Sequence, residues 1–234
     1  MILAIDCSTP PSDIALLDDE EIIAEREGPF GRDTDAWIMA AVDEMMREAR
    51  LGIGHLNAIA VTVGPGAFTG IRVGIATALG LSLGRACPTL GVSTLAAMAE
   101  AARTDHSGHS TVSQLLPCID ARRGQLYAAV YEQAAPLEID TAPLWGPAAV
   151  KPQELVDHLL SNGIDKALLA CGSGTSLLQL RQGWSVASSA LSTAAATGRI
   201  AARRLRRPDP PSQPITPLYV RAPDAHKARP PGQS

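Results

Sequence analysis

Aromatic side chains are scarce: the 234 residues include three Trp, three Tyr and two Phe, 3% of the chain. A core without large rings must be filled by Ala, Val, Ile and Leu, which favours helices and strands packed at close range. Histidine is also rare, at five, and only His106 and His109 lie near each other. They sit in a polar loop without an obvious third ligand, so a histidine-built metal centre is not expected. Positive charge is not in excess: 20 Lys and Arg against 24 Asp and Glu leave a net charge of −4, which offers nucleic acid no global attraction. Long apolar runs are missing too. Val73 to Leu83 is apolar but broken by Gly74, Thr77, Gly80 and Ser82, short of the ~20 residues that a membrane span needs. Met1 to Asp6 already reads as a strand, leaving no charged segment and apolar signal core before it, so export is not expected. The four cysteines, Cys7, Cys87, Cys118 and Cys171, lack paired spacing and read as reduced core residues. A cytoplasmic protein fits all of these absences.

A hydrophobic content of 46% over this length allows two modest domains or one large one. Ile2 to Asp6, Asp13 to Leu17 and Glu21 to Glu25 read as a three-stranded meander. Thr34 to Arg50 then reads as a helix with Trp37, Ile38, Ala41, Val42, Met45 and Ala49 on one broad apolar face. Ala36, Met39, Ala40 and Met46 form a second face. Two such faces suit either complete burial within one domain or burial on a parent sheet and again against a partner. Asn57 to Val63 is a buried-type strand, followed by a helix from Thr69 to Gly84, a strand at Pro88 to Val92, and a helix for which Ser93 is the expected N-cap.

The polar stretch Arg103 to Ser113 marks a boundary, after which strands are expected at Leu115 to Asp120, Gln125 to Tyr131 and Leu137 to Leu144. A helix at Gln153 to Ser161 and a strand at Ala167 to Cys171 follow. Ser192 to Arg207 reads as an alanine-rich helix whose arginines Arg199, Arg203, Arg204, Arg206 and Arg207 suit a helix C-terminus, or form a basic patch facing nucleic acid or an acidic partner. The Pro-rich remainder cannot be helical. These boundaries divide the chain into a lobe at 1–103, a smaller α/β lobe at 104–190, a helix at 191–207 and a tail at 208–234.

The segment Val63 to Gly74 joins a strand to a helix through Gly64-Pro65-Gly66. Such a junction can hold an anion on free helix amides, or can serve close packing through Gly66, Gly70 and Gly74 at four-residue spacing. It lacks the Lys-Ser/Thr ending of a P-loop and the spacing of a dinucleotide fingerprint. Gly172-Ser173-Gly174 reads as a strand-to-helix turn. Ser93 lacks the second glycine of a nucleophile elbow, so nucleophilic hydrolysis has no support.

Ile2 to Thr9, the Val63 to Gly74 junction, Gly91 to Leu95, Ile119 to Tyr127 and Pro217 to Arg221 together resemble the TsaB, or YeaZ, family of tRNA threonylcarbamoyladenosine biosynthesis. Both halves start with a strand ending in aspartate, Asp6 and Asp120, then a turn and a second strand. This faint duplication is similar to the two-lobed α/β architecture of actin, hexokinase and Hsp70, to which the family belongs. In active members of that fold the two acidic turns face each other and hold ATP phosphates and Mg²⁺. Here Pro10 and Pro11 follow the first turn, and Arg122 and Arg123 fill the second, so Asp6, Ser8, Asp120 and Gly124 are expected to be degenerate phosphate turns.

The resemblance implies a chain without catalytic or metal-binding residues of its own. It would be the obligate partner of a TsaD-like transferase that modifies the adenosine beside the anticodon of tRNAs reading codons that begin with A. Neither cofactor nor metal is assigned to this chain; ATP and metal would be used by the partner subunits, including a TsaE-like ATPase. The metal-binding histidines of the catalytic relative have no counterpart, since Thr34 to Arg50 holds no His or Cys. A homodimer is expected when the chain is alone, with tRNA reached through the complex. The expected partner surface comprises Trp37, Met39, Ala40, Met46, Gly70, Val73, Gly74, Thr77 and Leu81. The rivals are an ATP-dependent kinase or phosphohydrolase using Asp6 and Asp120, and a homodimeric interaction module outside tRNA modification.

Overall fold

The structure, a computed structural model, describes residues 1–104, 112–164, 166–187, 191–208 and 215–221. His106, His109 and most of the Pro-rich tail therefore lie outside the described residues.

The first sheet is built from β1 (Ile2–Asp6), β2 (Ser12–Asp18), β3 (Glu21–Gly28), β4 (Ala58–Gly64) and β5 (Thr89–Ser93), in the order β3-β2-β1-β4-β5. The meander pairs antiparallel, whereas β4 pairs parallel with β1 and β5 parallel with β4. Parallel strands covered on both faces need continuous apolar sequence, which explains Ile-Leu-Ala-Ile in β1 and Ala-Ile-Ala-Val in β4. α1 (Thr34–Glu48) and α2 (Phe68–Arg85) cover one face: Leu3, Ile5, Ile14 and Leu16 meet Ile38, Val42, Met45, Ile71 and Ile75.

The second sheet comprises β6 (Gln114–Asp120), β7 (Leu126–Glu132), β8 (Trp145–Val150), β9 (Leu168–Cys171) and β10 (Ser185–Val186), in the order β10-β9-β6-β7-β8. Its pattern repeats the first: the leading strand is central, the next two are antiparallel on one side, and the last two are parallel on the other. The faint duplication is therefore a repeat of topology. Where the first unit inserts α2, the second has only a short 3-10 turn at Ser173–Leu177, and α4 (Pro152–Ser161) takes the place of α1.

The two units exchange their last helices. α3 (Thr94–Arg103), which follows the first sheet, packs on β6, β7 and β9; α5 (Thr193–Leu205), which follows the second, packs on β1, β2 and β4. The layers thus run α1 and α2, first sheet, α5 with α3, second sheet, α4. α5 approaches the sheet through Ala194, Ala195, Ala201 and Ala202, and a Cβ on Gly198 would overlap Leu17. Small side chains at this contact let helix and sheet come close without aromatic fillers.

The strand expected at Leu137 to Leu144 does not form. That stretch is a loop closed by Thr141 N–H on the Glu138 carbonyl (3.1 Å) and Glu138 N–H on Thr141 Oγ1 (2.7 Å), and the strand starts at Trp145. Pro147 is tolerated there because β8 is an edge strand. The other expected elements form within a few residues of their predicted ends. Ser93 takes the N-cap position of α3 but makes no side-chain capping bond; its hydroxyl is engaged by Tyr131. All four cysteines are free and buried. Among the described residues no helix is long and apolar enough to cross a membrane.

Candidate functional site: closed acidic turns and an outward helix face

β1 ends on Asp6, which is fully buried. Its Oδ1 accepts from Ser8 N–H (2.8 Å), Ser8 Oγ (2.5 Å) and Thr62 Oγ1, and its Oδ2 accepts from Thr9 Oγ1 (2.8 Å). Burial pushes the carboxyl above its usual range, and these bonds pull the other way. Ser8 Oγ also meets Thr94 Oγ1 at 2.9 Å, tying the turn to the start of α3. The amide of Ser8 is thereby spent on Asp6 rather than offered to a ligand.

The N-terminus of α2 is plugged by the same turn. Ala67 N–H donates to Ser8 O at 2.8 Å, and a Cβ on Gly66 or Gly70 would overlap the backbone of Ser8 or Cys7. Gly74 continues the row inward: a Cβ on it would lie 3.3 Å from Val61 Cγ2 and 3.6 Å from Cys7 Cβ. Between the two readings of this junction the geometry selects close packing.

At the second turn Asp120 Oδ1 accepts from Arg122 N–H at 2.7 Å, and Asp120 N–H donates to Ser173 Oγ at 3.2 Å. Arg122, Arg123 and Gly124 all take left-handed backbone, with φ of 62°, 54° and 71°. Two consecutive side-chain-bearing residues in that region are unusual. The turn is closed by Ala121 N–H on Gln125 O and Gln125 N–H on Arg122 O. Gly172 and Gly174 are packing positions: a Cβ on the first would overlap Met98, and on the second would lie 2.7 Å from Leu126.

Of the expected partner surface, Met39 (48% exposed) and Ala40 do face outward. Val73, Thr77, Leu81 and Trp37 are half-buried; Leu81 and Trp37 pack against their own core, with Trp37 covering Gly28. Met46 is corrected: at 4% exposed it belongs to that core, where Leu51 and Leu56 join the same cluster after the helix turns back. Gly70 and Gly74 are corrected likewise, since both face the first sheet's own turn and strands. The outward stripe of α2 is instead Ala76, Leu79, Gly80 and Leu83, with Leu83 86% exposed. An i, i+4 reading from Leu79 to Leu83 would have found it. α1 and α2 touch, so the outward residues of both helices lie on the same side of the first sheet.

The basic-patch reading of α5 is corrected in part. Arg203 binds Glu20 and Glu100, Arg206 binds Asp19 and Glu20, and Arg207 binds Glu138 and Asp140. The segment Ile215–Arg221 runs back to both lobes: Leu218 N–H donates to Val63 O at 2.7 Å, and Arg221 Nη1 donates to Gln125 Oε1 at 3.0 Å.

The sequence profile of the family described as "TsaD: tRNA N6-adenosine threonylcarbamoyltransferase" matches residues 31–207. The Escherichia coli protein named tRNA threonylcarbamoyladenosine biosynthesis protein TsaB is 37% identical over 132 residues, 56% of this chain and 55% of that protein. Its Bacillus subtilis namesake is 33% identical over 131 residues, again 56% and 55%. These matches span about half the length of the curated relatives. The solved structure of YeaZ from Pseudomonas aeruginosa superposes with a TM-score of 0.73 at 23% identity, covering 93% of this chain and 98% of that one. The fold is thus a two-lobed α/β architecture shared with that YeaZ structure. With the family profile covering most of its length, the chain belongs to the family described as TsaD: tRNA N6-adenosine threonylcarbamoyltransferase, as a TsaB/YeaZ-like member.

Proposed function

We propose that this chain is the non-catalytic partner of a TsaD-like transferase in forming N6-threonylcarbamoyladenosine beside the anticodon of tRNAs reading codons that begin with A. It works in the cytoplasm, self-associates when alone and recruits a TsaE-like ATPase in the complex. The observation that carries this reading is the outward apolar face of α1 and α2, with Met39, Leu79 and Leu83 48%, 42% and 86% exposed on a lobe whose own core is complete. Apolar exposure on touching helices is costly in water and is relieved by a helix bundle shared with a related subunit. Ala76, Gly80 and Gly84 would let that partner's backbone approach closely; nothing lies within 4 Å of a Cβ placed on either glycine.

The rival kinase or phosphohydrolase would need Asp6 open to a metal or its water. Both Asp6 oxygens are already occupied by donors of this chain, and the turn's amide points at Asp6. This occupancy supports the reading in which ATP and metal are used by the partner subunits. The test is copurification of the tagged full chain from its own cells, with calorimetric titration of the isolated chain by ATP and Mg²⁺. A TsaD-like subunit in the capture and no heat of binding are expected. Capture without such a subunit would remove the partner role. A micromolar dissociation constant, about −8 kcal/mol, lost in Asp6→Ala, would restore the enzyme.

A further inference from the structure

The outward row of α2 does not stop at its leucines. Followed back from Leu83 at intervals of three and four, it runs through Leu79 and Ala76 to Arg72 and Phe68, all of them exposed. Arg72 is the only charged side chain of that row, and among the described residues its partners are neutral. The guanidinium lies over the Phe68 ring, 3.8 Å from the centroid, and Nε donates to Tyr219 Oη at 3.2 Å. The first turn of α2 holds no acidic residue, and a cation near a helix N-terminus gains nothing from the dipole. The charge is thus held in position without being neutralised.

Tyr219 reaches this row from 147 residues away in the sequence. Ile215 packs on the first lobe's core, Leu218 N–H donates to Val63 O at 2.7 Å, and a Cβ on Gly64 would lie 2.7 Å from Leu218 O. Beyond Tyr219, Arg221 is tied to Gln125 of the second lobe. Between these anchors the Tyr219 ring stacks on Phe68 at 5.4 Å between centroids, with the two residues still 39% and 45% exposed. The ring is held in advance, so little side-chain freedom is left to lose when a partner covers it.

We infer that the surface for the TsaD-like subunit continues beyond the helices onto Ile215–Arg221. The partner lays an apolar stripe along Leu83, Leu79 and Ala76, covers the Phe68–Tyr219 pair and sets a carboxylate against Arg72. This rests on the reading of α2 as a partner face and adds to it a segment that follows both lobes in the chain. Tyrosine and arginine are the residue types that most often anchor protein interfaces. RNA would also accept an arginine and an exposed ring. It has no use for the apolar row that continues from them, and its phosphates would meet Asp35 and Glu44, exposed on α1 beside α2.

The experiment measures the affinity of the full chain for its TsaD-like partner by surface plasmon resonance across a salt series, for the wild type, Tyr219→Ala and Arg72→Gln. Melting curves, sedimentation of the chain alone and anisotropy of a labelled RNA stem-loop are recorded on the same proteins. Tyr219→Ala is expected to weaken partner binding about tenfold or more. Arg72→Gln should weaken it about fivefold or more at low salt and flatten its salt dependence, because the lost attraction is one that salt screens. Should Tyr219→Ala fail to fold, the exposed Arg72 decides alone. Unchanged partner affinity of the folded variants overturns the extension, while the helix face probed through Leu79 and Leu83 can still stand. Lost RNA affinity with partner affinity retained makes this an RNA site and overturns it, as does a loss confined to self-association. A wild type that binds no TsaD-like subunit removes the partner reading itself, and this extension with it.

Discussion

Asp13 shows how one residue can set a pH dependence. It pairs with Asp6 across β1 and β2, its Oδ2 accepts the Ala194 N–H at the start of α5 (3.0 Å), and its buried Oδ1 has no hydrogen-bond partner. Burial pushes the carboxyl up to about 8, with the Asp6 and Glu27 charges adding to the rise and the Ala194 and Ser192 bonds opposing it. The folded pKa is above the unfolded one, so this contribution to stability is complete below about 4 and is lost as pH rises towards about 8. Within that window the unfolded chain gives up the proton that the folded chain keeps, a slope of up to about 1.4 kcal/mol per pH unit. Asp13→Asn cannot ionise and should flatten this part of the profile, becoming more stable relative to the parent as pH rises. Urea midpoints of both proteins at several pH values check it; a difference that does not change with pH would rule the residue out as the source.

At the scale of elements, α1 and α2 each have one face committed to the first sheet and one left outward. Leu79→Glu with Leu83→Glu puts charge on the outward face only. Because both side chains are already exposed, each substitution should change stability by no more than about 0.5 kcal/mol. Capture of the TsaD-like partner and self-association should both fall by tenfold or more, since each carboxylate would lose its water in the interface at a cost of several kcal/mol. Size-exclusion chromatography with the partner, beside thermal melting, reads both. A folded variant that still forms the complex would move the interface away from these helices.

For the whole molecule, the exchanged helices are locked by Glu100 and Arg203. Glu100 on α3, wholly buried, accepts from Arg103 (2.6 and 2.8 Å), from Arg203 on α5 (2.7 Å) and from the Leu137 amide (3.0 Å). Arg203 also reaches Glu20 between β2 and β3 (2.6 Å) and the Leu137 carbonyl (2.8 Å), so one cluster ties both sheets' connections together. Burial alone would raise the Glu100 carboxyl, but the arginine bonds outweigh it and hold it below its usual range. The stability it supplies is thus present above the ordinary carboxylate pKa and lost as pH falls through the lower folded value. Glu100→Gln leaves Arg203 short of one counter-charge in a buried site and should cost about 3 kcal/mol. Equilibrium urea unfolding measures it, and an unchanged midpoint would show that the lobes are held by apolar packing alone.

Local sequence determined the elements and their repetition. Short apolar runs such as Ile2 to Asp6 and Asn57 to Val63 read as buried strands by their length and β-branched content, and aspartate-ended strands at Asp6 and Asp120 announced two units of one plan. The scarcity of aromatics likewise foretold the Ala- and Gly-lined contact of α5 with the first sheet. What local pattern could not decide was which side of an element is covered, because the covering groups come from distant sequence. Met39 and Met46 lie seven residues apart on one helical stripe, yet Met46 is buried and Met39 is exposed once the chain beyond α1 folds back. Gly70 and Gly74 turned inward because the Cys7–Ser8 turn fills their side of α2. Arg203, Arg206 and Arg207 were matched by acids from residue 19 to residue 140, while Arg72 and Arg221 met rings and an amide instead. Charge and periodicity are properties of a segment; compensation and burial depend on long-range contacts, which exist only once the two sheets exchange their helices.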